Sequence, residues 1–85
     1  MCYSLKYAKS VKKQLKRIDK ALISNILNKT EEYSKEPVKN SEKVKDPNLP
    51  ERKFRVGNYR ILFDLDKENK IVQVKKIAHR KEVYE

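Results

Sequence analysis

The stretch Lys53-Phe54-Arg55-Val56-Gly57-Asn58-Tyr59-Arg60-Ile61-Leu62-Phe63 decides how this chain folds. Gly57-Asn58 between two β-prone runs is a two-residue hairpin signal, because these residue types supply the positive φ that primed turns require. With that pair as the loop, Val56 faces Tyr59, Arg55 faces Arg60, Phe54 faces Ile61 and Lys53 faces Leu62. Side chains alternate along a strand, so one sheet face carries Phe54, Val56, Tyr59, Ile61 and Phe63, and the other carries Lys53, Arg55 and Arg60. The first set reads as core and the second as a cationic surface. A slip of one residue would exchange the two faces.

Downstream, Ile61, Phe63 and Leu65 continue the alternation, Asp66 to Asn69 make a second turn, and Val72 and Val74 alternate with Gln73 and Lys75 in a further strand. A short tail, Ala78 to Glu85, follows. Upstream, the segment Ser34 to Pro50 holds Pro37, Pro47 and Pro50, which predicts a long connecting loop, mobile rather than built into the sheet. Before it, Ala8, Val11, Leu15 and Ile18 share one helical stripe. Asp19 is a predicted N-cap for a second helix, in which Leu22, Ile23, Ile26 and Leu27 give an apolar stripe and which continues to about Tyr33. Tyr3, Leu5 and Tyr7 alternate as an opening strand. The expected class is α+β: an N-terminal strand, a two-helix hairpin, then three antiparallel strands, all in one sheet with the helices on one face.

A chain of 85 residues supports one domain, read here as residues 1–85. Its 22 Lys and Arg against 12 Asp and Glu give a net charge of +10, which makes nucleic acid the default partner. Of five arginines, four (Arg52, Arg55, Arg60 and Arg80) lie in the C-terminal half, where a planar fork suited to phosphate outperforms lysine. A lysine-rich surface kept for solubility accounts for much of the remaining charge. Cys2 is the only cysteine, so neither an intramolecular disulfide nor a cysteine-based metal site is expected. No apolar run approaches a membrane span or a secretion signal, and a cytoplasmic setting follows.

Arg55 opposite Arg60 places two like charges about 5 Å apart, at a cost of a few tenths of a kcal/mol. Any one of these cations is accounted for by solvation. Three on one patch point to a phosphate cradle.

The block Lys53 to Arg60, together with Ile77-Ala78-His79-Arg80-Lys81-Glu82-Val83-Tyr84, resembles the C-terminal half of RelE-type toxins of the RelE/ParE superfamily. The likeness extends to the opening strand and to the helix containing Lys12-Lys13-Gln14-Leu15. It implies a RelE-like domain and a type II toxin that inhibits translation as a ribosome-dependent mRNA endoribonuclease. It also implies neutralisation by a RelB-like antitoxin in a hetero-oligomer. In such chemistry a ribose 2′-hydroxyl attacks the adjacent phosphate, a base takes its proton, cations stabilise the phosphorane and an acid protonates the departing 5′-oxygen, with no cofactor or metal required. By the resemblance, Lys53 is a base or charge stabiliser, Arg60 and Arg80 stabilise the transition state, and Tyr84 orients or deprotonates the 2′-hydroxyl or stacks on a base. Arg55 is a supporting phosphate contact, and Arg52 and His79 complete the expected RNA contacts, although the register turns Arg52 to the other face.

The chain departs from the family before the hairpin. Val44 to Pro50 replaces the Leu-Lys-Gly segment frequent there, and Glu51 stands where some members carry a second lysine. Two rivals remain: a gyrase-inhibiting toxin of the same fold, and a domain that binds RNA without cutting it.

Overall fold

The computed structural model describes residues 3–83. The hairpin turn forms as its composition requires: Gly57 takes φ +58°, and Lys70 is the only other residue of positive φ among the described residues. Positive φ at the first loop position alone is the type II′ pattern, which needs glycine at that position. On either side of the turn, β3 (Arg52–Val56) and β4 (Tyr59–Asp66) pair in the expected register, Arg55 with Arg60 and Lys53 with Leu62.

The other elements are β1 (Ser4–Tyr7), α1 (Lys9–Leu15), α2 (Lys20–Ser34), β2 (Glu42–Lys43) and β5 (Ile71–His79), followed by a 3-10 turn over Arg80–Glu82. The strands form one five-stranded sheet of order β1-β5-β4-β3-β2, in which β1 runs parallel to β5 and every other pair is antiparallel. The class is α+β as expected, with one strand more. That strand, β2, lies inside the proline-containing connection. The connection is tied down rather than loose: Arg52 Nε donates to Ser41 Oγ at 2.7 Å, Arg52 Nη2 donates to Val38 O at 3.3 Å, and Val44 N donates to Glu51 O at 2.9 Å.

Asp19 caps α2 by accepting from Ala21 N at 3.0 Å. The first helix ends three residues before Ile18, because Arg17 N and Ile18 N bond to the carbonyls of Gln14 and Leu15, tightening the end into 3-10 geometry. Ile18 still reaches the core. Both helices cover the face built from Phe54, Val56, Ile61, Phe63, Val72, Val74 and Ile77, with Val11 and Ile26 as their fully inserted residues. Phe54 stacks on Phe63 at a 4.3 Å centroid separation and meets Tyr33 at 5.7 Å.

Two features break the simple pattern. Between β4 and β5 the register shifts at Leu62/Phe63: Leu62 pairs with Lys76 and Phe63 with Val74, so Lys75 is the extra residue of a β-bulge. The face away from the helices also has an apolar cluster of its own, in which Leu62, Ala78 and Val83 are buried and Val44 and Leu49 pack against them.

Candidate nucleic-acid interface

The register builds a grid on the open face. One row across β5, β4 and β3 is Lys76, Leu62, Lys53, and the next is Ala78, Arg60, Arg55. Lys53 and Arg60 are only 3% and 6% exposed, and Val83 is seated on Leu62 and Ala78, their partners across the strands. Arg60 Nη1 folds back to donate to the turn carbonyls of Gly57 and Tyr59, each at 3.0 Å. Arg55 is exposed, and its Nη2 lies 3.1 Å from Glu42 Oε2 on β2. Arg80 opens the 3-10 turn, and its N–H donates to Asn58 O at 2.7 Å, which moors the exposed Arg80 to the hairpin tip.

Lys53, Arg55 and Arg60 therefore share one face, with Arg80 beside the turn that fixes their register. Tyr84 lies outside the described residues. Arg52 and His79 are not part of this set. Arg52 pairs with Phe63 on the helix-bearing side and spends its guanidinium on Ser41 and Val38. His79 pairs with Tyr59, meets its ring edge-on at 5.6 Å, and caps the 3-10 turn by accepting from Lys81 N through Nδ1 at 3.2 Å. It lines a separate cavity of ≈ 250 Å³ with Gln14, Arg17, Ile18, Tyr59, Ile77 and Glu82.

Asp64 also belongs to the open face, where Lys75 Nζ lies 2.6 Å from its Oδ2 and Glu51 N donates to its Oδ1 at 2.9 Å. Partial burial alone would raise the Asp64 pKa, but these hydrogen bonds and the Lys75 charge outweigh it and hold the carboxyl below its ordinary range. Lys75, Lys76 and Asp64 escaped the sequence reading, although the three-residue step from Val74 to Ile77, where strict alternation demands two, is the trace of the bulge that gathers them. Among the described residues no group of three or more His, Cys, Asp or Glu is arranged to hold a metal, and no helix is long and apolar enough to cross a membrane.

Two solved structures share this architecture. A chain of the toxin–antitoxin complex RelBE2 from Mycobacterium tuberculosis superposes with a TM-score of 0.84 at 18% identity, covering 94% of this chain and 100% of that one. A chain of the archaeal RelE–RelB complex from Pyrococcus horikoshii OT3 gives a TM-score of 0.75 at 25% identity, covering 94% of this chain and 97% of that one. No protein of curated function matches the sequence. The family model for the ParE toxin of type II toxin–antitoxin systems, parDE, matches residues 5–84. With nearly every residue inside that match and the sheet, helices and connectivity of RelE complexes around it, the chain belongs to the ParE toxin family of the RelE/ParE superfamily.

Proposed function

We propose that this toxin is a ribosome-dependent endoribonuclease that cleaves messenger RNA. The observation that carries the reading is the register-fixed convergence of Lys53, Arg55 and Arg60 on one open sheet face, with Arg80 moored at the adjoining turn. Cations so placed suit a phosphodiester whose charge rises as the 2′-oxygen bonds to phosphorus. The 2′-hydroxyl proton passes to a base, for which Lys53 and Tyr84 are the candidates. Arg60 and Arg80 neutralise the non-bridging oxygens, and Arg55 holds a flanking phosphate. The P–O5′ bond breaks as the 5′-oxygen takes a proton from water or from the base in its protonated form, and the products are a 2′,3′-cyclic phosphate and a 5′-hydroxyl. Because Lys53 and Arg60 are buried, the reading requires local opening of this face when substrate binds, and Val83, seated on their strand partners Leu62 and Ala78, is the residue proposed to move.

Both solved neighbours come from complexes of RelE- and RelB-type proteins. By analogy the partner of this chain is an antitoxin whose acidic, folding-on-binding segment offsets the +10 charge in a hetero-oligomer. Ribosome and message, and hence the cytoplasm, are the site of action in this reading.

A second reading has support of its own. The matching family model is that of ParE, and the burial of Lys53 and Arg60 suits a protein-binding toxin directed at DNA gyrase. Translation with purified ribosomes, followed by mapping of message ends, separates the two. Cuts within A-site codons are expected, whereas intact message together with impaired gyrase supercoiling would overturn the nuclease reading.

A further inference from the structure

In a regular strand Lys75 and Lys76 would face opposite sides of the sheet. The bulge removes that constraint. Lys76 is the partner of Leu62 on the open face, and Lys75 reaches Asp64 on the same face. The distortion is supported from α1, where Gln14 Oε1 accepts from Ile77 N at 2.8 Å and Ser10 Oγ lies 3.4 Å from Lys75 O. Bulges re-aim side chains in this way beside binding sites.

Lys75, Lys76 and Asp64 form one wall of a cleft of ≈ 410 Å³, and Asn48, Leu49 and Pro50 form the other. The Asp64 carboxylate is already engaged by Lys75 and by Glu51 N–H. The Lys76 ammonium, on a half-buried side chain, has no acceptor among the described residues. An open cleft with one unneutralised cation is matched to an anion.

We infer that Lys76, in the cleft it shares with Asn48, is a second phosphate-binding position for single-stranded RNA, separate from the cations of the hairpin. Lys76 stands two strands from Lys53, about 10 Å at the usual inter-strand spacing. With Leu62 between them, the two lysines are spaced to suit neighbouring phosphates of an extended strand. The inference rests on the reading of this face as an RNA site and adds a contact that positions substrate without touching the reacting atoms.

The test is the salt dependence of binding of a fluorescent, fully 2′-O-methylated oligoribonucleotide, which lacks the attacking hydroxyl. Each phosphate contact contributes about 0.7 to the slope of log K against log salt for a single strand. Lys76→Gln is expected to lower the slope by about 0.7 and to weaken low-salt binding several-fold, and Lys76→Arg to restore both. Lys20→Gln, an equal charge loss at the start of α2, leaves the slope unchanged. Equal behaviour of Lys76→Gln and Lys20→Gln, or failure of the wild type to bind at low salt, overturns the inference. If message cleavage is absent but the Lys76 slope change appears, the nuclease reading fails and the phosphate site stands. If cleavage is present without the slope change, the site alone fails.

Discussion

Replacing Val83 by alanine probes what controls access to the buried cations. Val83 is 4% exposed and rests on Leu62 and Ala78, which are 0% and 3% exposed, with Val44 and Leu49 at the rim. Truncation removes two methylene-sized groups, about 1.6 kcal/mol of burial, rising to about 3 kcal/mol if the cavity cannot collapse. The 3-10 turn preceding Val83 is otherwise held by Arg80 N to Asn58 O and by the reciprocal bonds of His79 with Lys81 and Glu82. The loss therefore falls first on local opening of this segment and only partly on global unfolding. At tenfold per 1.4 kcal/mol, the open population rises roughly 10- to 100-fold. Pulse labelling with an amine-reactive reagent, read residue by residue by peptide mass spectrometry, measures this directly. Lys53 should label at least tenfold faster in the variant, while the exposed Lys6 and Lys12 label at wild-type rates. An unchanged Lys53 rate in a variant whose urea midpoint has fallen would refute a gating role for the C-terminal segment.

Arg52→Ala deletes two of the hydrogen bonds that tie the connection to the sheet and is expected to cost about 1–2 kcal/mol in urea unfolding, while leaving oligoribonucleotide affinity within about twofold. A large loss of affinity at full stability would return Arg52 to the RNA site. The Asp64 carboxyl is held below its ordinary pKa, so its stabilisation is fully present above about pH 3.9 and is lost as pH falls through the lower folded-state value. Thermal melts between pH 2 and 6 should show a shallower acid limb for Asp64→Asn, and an acid limb identical to that of the wild type would contradict the assignment. Gly57→Ala meets no atom within 4 Å of the added Cβ but must hold φ +58°, so a loss of about 1–2 kcal/mol is expected from backbone strain alone. A neutral outcome in chemical denaturation would show that the turn relaxes to another type.

The features legible in the sequence are those determined by neighbouring residues. Gly57-Asn58 fixed the hairpin register, Asp19 marked the start of α2, and the alternation of Phe54, Val56, Ile61 and Phe63 separated core face from open face. Alternation assigns a residue to a face but says nothing of what covers that face. The apolar cluster on the open face joins Val44, Leu49 and Val83 to Leu62 and Ala78, and strand pairing and a 3-10 turn bring these residues together from distant parts of the chain. The same blindness explains Arg52, whose partners Val38 and Ser41 lie in a connection that propensity alone reads as structureless.

The bulge had the widest effect on the site. Counted by twos from Val74, the side chains of Lys76 and Ala78 would enter the core and His79 would stand among the arginines. One inserted residue reverses every position after it. Ile77 joins the core, Ala78 supports Val83 on the open face, and His79 turns to Tyr59 on the helix-bearing side. The insertion that withdraws the single histidine from the cationic face also brings Lys76 onto it. Proton transfer, in the nuclease reading, falls to Lys53 or Tyr84 and not to the imidazole of His79, which faces Tyr59.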